Sequence, residues 1–202
     1  SMSVVLSFEL AGRVARLTLN RPAAKNALRP EDWQQIATHL FDIQQRSQVR
    51  AILVSGAGGA FSSGGDLKTM PERLALPVAV RREQLIRDSK VIQTLHELDL
   101  PVVAAIPGVC MGAGLSLALA CDLRVCADTA TFGAIFHRVG LSADFGLSWL
   151  LPQAVGASNA MHMLMTAAVL GAEEAKASGL VQAVVASSDV EQTALGWCEK
   201  LA

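Results

Sequence analysis

The chain has 202 residues, which is enough for one domain with a substantial core and short for two. Its 17 lysines and arginines nearly balance 18 aspartates and glutamates, so there is no basic surface for nucleic acid and no acidic tail. These values favour a protein that acts on small molecules, and we predict a single domain over residues 1–202.

The predicted elements of the N-terminal part alternate between strand and helix. They are a strand at residues 14–20, a helix at 30–47 and a strand at 51–55. The helix begins with Pro30 and two acidic residues, which favour a helix N-terminus. Its 3.6-residue period predicts one apolar face made by Trp33, Ile36, Ala37, Leu40 and Ile43.

The same alternation continues to the end of the chain. A helix is predicted at 81–99, with Leu85, Ser89, Ile92 and Leu95 or His96 on one side, and a central strand at 100–106. The later elements are a small-residue helix at 111–123, strands at 124–128 and 130–133, helices at 146–156, 157–171 and 172–179, and a strand at 180–185. Strands that alternate with helices predict an α/β fold.

Two long uncharged segments, residues 102–121 and 145–172, raise the question of a membrane span. Pro107 and Gly108 divide the first, and Pro152 interrupts the second. Buried elements of a soluble core therefore explain both segments better, and we predict no membrane association.

The cysteines and histidines indicate neither disulfides nor a metal. The four cysteines form no CxxC pair, and three lie in apolar runs, which predicts buried free thiols and a reducing, cytoplasmic location. The four histidines have no metal-ligand spacing, so no metal site is predicted. The N-terminus lacks a basic region before an apolar one, which predicts no signal peptide.

A glycine-rich stretch, GAGGAFSSGGDLKTM at residues 56–70, follows the apolar strand and has five glycines in its first ten residues. A phosphate-binding loop is a poor match, because no Lys-Ser or Lys-Thr pair closes it. A dinucleotide fingerprint also fails, because Phe61 stands where its third glycine belongs. A close-approaching ligand and a merely tight turn both remain open on this stretch alone.

A second stretch, AAIPGVCMGAGLSLALACD, ends a buried strand at a Pro-Gly turn and opens a helix at Gly112, Ala113 and Gly114. The segments LNRPAAKNAL, LVSGAGGAF and AFSSGGDL precede it, and GAEEAKASGLVQAVV follows it. In this order along the chain, the five segments resemble the crotonase (enoyl-CoA hydratase/isomerase) superfamily over nearly the whole chain. The resemblance implies a spiral of ββα units with C-terminal helices. Relatives usually continue beyond the final WCEKLA with more helices, so a short form and a truncated sequence are both open.

The resemblance implies a substrate carried as an acyl-coenzyme A thioester, with no prosthetic group. The backbone N–H groups of Gly65 and Ala113 match the two donors that hold the thioester oxygen as it becomes an enolate. Four further residues match positions along the coenzyme A: Ala27 and Ser63 by their backbone, and Lys25 and Lys68 as cations near its phosphates. For both lysines, a solvated surface position is the alternative.

The chain departs from the hydratase pattern at both catalytic glutamates. Ser116 and Phe136 stand at those positions, where the resemblance implies that they bind substrate. Neither side chain can do the proton chemistry of a glutamate unaided. Asp144 matches the catalytic aspartate of isomerase-type relatives, although it could instead cap the helix that begins near Phe145. An enoyl-CoA isomerase is therefore predicted, with a hydratase of altered mechanism and a non-catalytic acyl-CoA-binding protein as alternatives.

Other residues receive secondary expectations. Asp66 and Asp122 match structural positions that hold loops, and His137 lies beside the Phe136 position. The resemblance also implies fatty acid metabolism and a homo-oligomer, either a trimer or a hexamer. The apolar side chains of Met161, Met163 and Leu164 look exposed on their predicted helix and fit such an assembly.

Overall fold

The computed structural model describes residues 2–202. The strands are β1 Val4–Glu9, β2 Val14–Leu19, β3 Ala51–Gly56, β4 Val102–Ile106, β5 Val109–Met111, β6 Leu123–Ala127, β7 Thr131–Gly133, β8 Val169–Gly171 and β9 Ala183–Val185. The helices are α1 Pro30–Gln44, α2 Met70–Leu74, α3 Val78–His96, α4 Ala113–Leu119, α5 Leu147–Val155, α6 Ala157–Thr166, α7 Ala172–Ala177 and α8 Val190–Leu201. The predicted α/β class is confirmed.

Two sheets organise the fold. The larger has six strands in the order β1-β2-β3-β4-β6-β9, antiparallel between β1 and β2 and parallel elsewhere. The smaller sheet joins β5 to β7 in parallel and β7 to β8 in antiparallel fashion. Because β3 and β4 are parallel neighbours, their carboxyl ends lie side by side. The glycine-rich loop after β3 and the turn after β4 both leave from that edge of the sheet.

The centre of the core is formed by β3 and β4, in which every residue is buried. Helix α8 packs against β3, β4 and β6, while α1 contacts β1, β2 and α3. The two central strands are therefore covered by other elements, which explains their continuous apolar sequences. This arrangement supports the loops at the end of β3 and β4 on a rigid base.

The periodic pattern of helix α1 predicted its buried face correctly except at Ala37. Asp32 accepts hydrogen bonds from the backbone N–H of Arg29 at 2.7 Å and from its guanidinium at 2.9 Å, which satisfies the helix start. Trp33, Ile36, Leu40 and Ile43 are buried as predicted. Ala37 is exposed, because its position lies beyond the edge of the apolar stripe.

The predicted helix at 157–171 is wrong at its C-terminal end. Helix α6 ends at Thr166, and Ala167 adopts a left-handed backbone with φ of 50°. The next residues form β8, which pairs with the edge of β7, so tertiary pairing overrides the local helical pattern. Met163 is buried rather than exposed because it faces the protein interior, whereas Met161 is 56% exposed.

Several elements had no counterpart in the sequence interpretation. Strand β1 adds an antiparallel edge strand to the large sheet. Helix α8 buries Val190, Ala194 and Cys198 and packs against β3, β4 and β6 of the same sheet. All four cysteines are free and buried, which confirms the prediction for the three that lie in apolar runs and adds the fourth. Within residues 2–202, no helix combines the length and apolar character needed to cross a membrane.

Candidate active site

Glycines at the end of β3 allow two backbone segments to touch. A Cβ built on Gly108 would lie 2.1 Å from the carbonyl oxygen of Gly59, and one on Gly56 would lie 2.1 Å from that of Ala60. A larger residue at Gly108 would push the glycine-rich loop away from the β4–β5 turn, and one at Gly56 would prevent that loop from folding back on the end of β3. Part of the glycine content therefore serves packing between loops rather than contact with a ligand.

Hydrogen bonds on both sides fix the peptide at Gly65. The N–H of Leu28 donates to the carbonyl of Gly64 at 2.8 Å, and the N–H of Asp66 donates to the carbonyl of Leu28 at 2.9 Å. The N–H of Gly64 donates to Ser62 Oγ at 3.1 Å. Within residues 2–202 the N–H of Gly65 itself has no acceptor, so it is a free donor on a rigid loop.

The second free donor is at the start of α4. Gly112 has φ of 52° and ψ of −123°, a conformation that only glycine adopts readily, and its N–H donates to the carbonyl of Gly133 at 2.9 Å. Ala113 is the first residue of the helix, so its N–H has no intrahelical partner. A Cβ built on Gly64 would lie 3.6 Å from Ala113 N, which shows that the two loops run side by side here.

Gly65 and Ala113, which carry these two donors, both line one cavity of about 130 Å³. Its walls are largely apolar and include Met70, Ile135, Phe136, Leu141 and Phe145. Mostly apolar walls with a few polar groups are typical of small-molecule sites. Such walls also exclude water from bound ligand, which strengthens the hydrogen bonds that the two N–H groups can donate.

Two carboxylates line the cavity, and Asp144 is the one without an ion pair in the described residues, since Asp66 is paired with Arg21. The Oδ1 atom of Asp144 is buried and has no hydrogen-bond partner in the described residues. Burial raises the pKa of this carboxyl from 3.8 to about 6, an effect opposed by the charge of Arg73 and by the backbone amide of Asp144. A carboxylate with such a pKa can both accept and release a proton near neutral pH.

The helix-capping alternative for Asp144 is contradicted by the structure. Helix α5 begins at Leu147, and its N-cap residue is Gly146, with φ of 73° and no side-chain cap. Only the backbone carbonyl of Asp144 takes part, by accepting the N–H of Leu147 at 3.0 Å. Phe145, the next residue, stacks on Trp33 with ring centroids 4.5 Å apart, which anchors the segment that carries the carboxylate.

The two residues at the glutamate positions have different surroundings. Phe136 lies in the cavity wall, whereas Ser116 is completely buried inside α4 and does not line the cavity. The hydroxyl of Ser116 lies 3.5 Å from the carbonyl of Gly112 in its own helix. Its role in substrate binding stays a prediction.

Of the four residues expected along the coenzyme A, only Ser63 lines the cavity. Ser63 lines the cavity, and its N–H donates to the carbonyl of Lys25 at 2.9 Å, which brings that residue close by. Ala27 is buried next to this contact, and the side chains of Lys25 and Lys68 are exposed. Neither lysine lines the cavity, so both phosphate roles stay predictions.

Structural roles are confirmed for two aspartates. Asp66 accepts the N–H of Lys68 at 3.1 Å and an Arg21 guanidinium N–H at 2.9 Å, which holds the end of the glycine-rich loop. These contacts outweigh desolvation, so its pKa is lowered. Asp122 accepts the N–H of Val102 at 2.8 Å. His137 is exposed and does not line the cavity.

Arg73 is a cavity residue that sequence reasoning missed. It lies on the short helix α2 with Met70, between the glycine-rich loop and α3. No motif marks it, because a five-residue helix has too little periodicity to show which side faces inward. Phe145 was likewise mentioned only as a helix start, although it lines the cavity.

The site thus combines two free backbone donors with one buried carboxylate, an arrangement suited to chemistry next to a carbonyl group. The family model described as "Enoyl-CoA hydratase/isomerase" matches residues 9–202. The chain therefore belongs to the enoyl-CoA hydratase/isomerase family, within the crotonase superfamily.

Named relatives agree with this assignment. A probable enoyl-CoA hydratase of Rhodobacter capsulatus is 37% identical over 187 residues, which are 92% of this chain and 70% of that protein. The (E)-benzylidenesuccinyl-CoA hydratase of Thauera aromatica is 34% identical and covers 98% of this chain. A probable enoyl-CoA hydratase of Mycobacterium bovis is 39% identical, and the chain spans only 65% of its length.

Solved structures match the fold across almost the whole chain. A putative enoyl-CoA hydratase from Streptomyces coelicolor A3(2) superposes with a TM-score of 0.93 at 34% identity, over 99% of this chain and 73% of that one. A putative enoyl-CoA hydratase/isomerase from Mycobacterium abscessus gives 0.92 at 35% identity. The predicted crotonase-like fold is confirmed.

Proposed function

We propose that this protein isomerises enoyl-coenzyme A thioesters, using Asp144 as the single acid–base group. The observation that carries the proposal is the partnerless Oδ1 of Asp144 in the same cavity as the free N–H groups of Gly65 and Ala113. An isomerase needs one group that removes a proton and returns it elsewhere, together with donors that stabilise the intermediate.

The proposed reaction has two proton transfers and one intermediate. The thioester oxygen of a 3-enoyl-coenzyme A accepts hydrogen bonds from Gly65 N–H and Ala113 N–H. Asp144 removes a proton from C2, and the electron pair delocalises over the thioester and the double bond as a dienolate. The protonated Asp144 then returns the proton to C4, which gives the 2-enoyl thioester. Each backbone donor can contribute about 3 kcal/mol to stabilisation of the oxyanion.

The surroundings of Asp144 support this role. Its pKa of about 6 leaves most of the carboxyl ionised at neutral pH, while the conjugate acid remains strong enough to protonate carbon. The apolar walls keep bulk water from the dienolate, which favours return of the proton over addition of water.

Hydration is the second candidate, because relatives of this chain are named as enoyl-CoA hydratases. In a typical hydratase two glutamates share the work of activating water and delivering a proton. Here Phe136 and Ser116 stand at those positions, so Asp144 alone would have to serve. A non-catalytic acyl-CoA-binding role is the third candidate, since both glutamates are absent.

Product analysis with two substrates separates the three candidates. The protein is incubated with hex-3-enoyl-coenzyme A or hex-2-enoyl-coenzyme A, and the products are resolved by chromatography and mass spectrometry. Isomerisation predicts conversion of the first substrate and no water added to the second. Rapid hydration of the second would favour the hydratase, and binding measured by calorimetry without turnover of either would favour the binding protein.

A further inference from the structure

Arg73 is a charged group in the cavity wall that the proposed reaction does not use. Its side chain is half-buried on α2, beside the apolar part of the cavity. Within residues 2–202 its guanidinium forms no ion pair within 4.0 Å and donates no hydrogen bond to another residue. A guanidinium carries five N–H donors in a planar fork, so those of Arg73 are available to a ligand that offers acceptors.

The charged side chains that line the cavity are Asp66, Arg73, Arg138 and Asp144. Asp66 is neutralised by Arg21, whose guanidinium N–H lies 2.9 Å from its carboxylate. Arg138 donates to the carbonyl of Ala167 at 2.7 Å and has no carboxylate partner in the described residues. Asp144 is the other lining carboxylate, and within residues 2–202 neither Arg73 nor Arg138 forms an ion pair with it.

Neighbouring carboxylates do not take up Arg73. The carboxylate of Asp88 is paired with Arg87, with distances of 2.9 Å and 3.0 Å to two of its nitrogens. The charge of Arg73 lowers the pKa of Asp144, but burial is the larger effect, and no nitrogen of Arg73 lies within 4.0 Å of that carboxylate. A direct pair would hold the Asp144 pKa low and remove its value as a base.

We infer that Arg73 binds a carboxylate carried by the acyl group, so that the substrate is the mono-thioester of a dicarboxylic acid with coenzyme A. The inference rests on the proposed function for the position of the thioester. A guanidinium matches a carboxylate through two parallel hydrogen bonds, and this geometry is strongest in a partly dry site. The hydrocarbon between the two ends of the acyl group then packs against Phe136 and Phe145.

Binding of unreactive saturated thioesters tests this inference independently of catalysis. Calorimetry compares butanoyl-, hexanoyl- and octanoyl-coenzyme A with succinyl-, adipoyl- and suberoyl-coenzyme A, each pair having equal carbon number. The variants are Arg73→Gln and, as a matched control, Arg82→Gln, an exposed arginine on α3 outside the cavity. Circular dichroism and thermal unfolding verify that both variants fold.

The expected result is that, for at least one chain length, the wild type binds the dicarboxylic probe about tenfold or more tightly than its neutral partner. In Arg73→Gln the ratio of the two affinities falls close to one, and in Arg82→Gln it is kept. Equal affinities in the wild type, or a preference that survives Arg73→Gln, would overturn the inference. An equal weakening of both probes and of coenzyme A alone would assign Arg73 to the carrier and overturn it too.

The same data separate this inference from the proposed function. A carboxylate preference that depends on Arg73, in a protein that does not isomerise enoyl thioesters, supports the inference and contradicts the isomerase. Isomerisation without any preference for the dicarboxylic probes supports the isomerase and contradicts the inference. If no thioester binds in either series, both are overturned.

Discussion

Asp144 owes its chemistry to the backbone around it. Phe145 has φ of 50° and Gly146 has φ of 73°, and this left-handed pair turns the chain so that α5 starts two residues later without using the Asp144 side chain. The carboxylate is therefore free to face the cavity, where burial raises its pKa. The cost is a buried carboxylate oxygen, Oδ1, that has no hydrogen-bond partner in the described residues.

The first prediction concerns the pH dependence of turnover. Because the basic form of Asp144 removes the proton, kcat/KM for isomerisation is expected to rise with pH through about 6, the pKa of this carboxyl, and then to level off. Initial rates measured in buffers of constant ionic strength check this. A profile that is flat through this range while the protein stays folded would contradict the role of Asp144.

The second prediction concerns stability. Burial raises the folded-state pKa of Asp144 from 3.8 to about 6, so the ionised carboxyl disfavours folding. The free energy of unfolding of the wild type therefore falls, relative to that of Asp144→Asn, as pH rises from about 4 to about 6. Above that range the Asn variant is expected to be more stable by on the order of 1 to 3 kcal/mol. Below about pH 4 this difference vanishes, because the acid is protonated in both states.

Urea unfolding of the wild type and of Asp144→Asn at several pH values measures that difference. Asp99→Asn, which changes an exposed aspartate outside the cavity, is the control and is expected to show no such pH dependence relative to the wild type. A loss of stability in Asp144→Asn at neutral pH would show that the carboxylate has a structural partner.

At the scale of elements, the loop after β3 and the start of α4 act as one unit. The N–H of Phe61 donates to the carbonyl of Val109 at 3.0 Å, and the N–H of Met111 donates to the carbonyl of Ser62 at 2.9 Å. These bonds belong to a parallel bridge between Ser62 and Cys110, which joins the two segments beyond the ends of β3 and β4. The two free donors are thus positioned by the ends of neighbouring strands, which limits their movement during a reaction.

The third prediction removes one donor without changing a side-chain function. Ala113→Pro deletes the N–H at the first position of α4, where proline is tolerated in a helix, so the protein should fold. Isomerisation is expected to fall by about a hundredfold or more, since an oxyanion donor contributes on that order. Enzyme assays and thermal unfolding measure the two effects.

Ala157→Pro is the matched control for this variant. Ala157 is exposed, is the first residue of α6 and follows Gly156, whose φ of 79° is positive like that of Gly112. It does not line the cavity, so the control should keep its activity. Undiminished turnover in a folded Ala113→Pro variant would remove Ala113 from the oxyanion hole.

The elements differ in how far they could be predicted from sequence. The central strands and α1 have strong periodic or continuous apolar patterns, and both were predicted correctly. Strand β8 is three residues long and exists because β7 offers it an edge, so its local sequence still favoured helix. Glycine packing such as that of Gly108 against Gly59 was also invisible, because it joins residues far apart in the chain.

The sequence motifs predicted the two backbone donors and the carboxylate of the site, but not all of the residues that form the cavity wall. Gly65 and Ala113 lie in segments with a recognisable pattern, and Asp144 was found by alignment to those segments. Arg73 lies on a short helix with no pattern, and only the fold brings it to the cavity. The sequence could not exclude that Asp144 caps a helix. The structure excludes it, because the helix begins at Leu147 rather than near Phe145.

At the scale of the whole molecule, apolar side chains remain exposed on α5 and α6 and next to them. Trp149 is 57% exposed, Met161 is 56% exposed and Met165 is 71% exposed. A surface of this kind is typical of contacts between subunits. Met163 and Leu164 do not contribute in the expected way, because Met163 is buried and Leu164 is only partly exposed.

The fourth prediction is a homo-oligomer in which these side chains are covered. Sedimentation velocity at micromolar concentration is expected to show a species larger than the monomer of 21.3 kDa. Met165→Glu is expected to shift the distribution towards monomer, because a charge at an apolar contact is costly to bury. A wild-type protein that sediments only as a monomer would contradict the prediction.

The fifth prediction tests the central claim, that Asp144 moves a proton along the acyl chain, by isotope exchange in heavy water. Wild-type protein and Asp144→Asn are incubated with hex-3-enoyl-coenzyme A in deuterium oxide, and deuterium at C2 and C4 is measured by mass spectrometry and NMR. Wild type is expected to exchange and isomerise. In Asp144→Asn both rates should fall by a factor on the order of a hundred to ten thousand, while coenzyme A binding is kept. Undiminished isomerisation by the folded Asn variant would contradict the account.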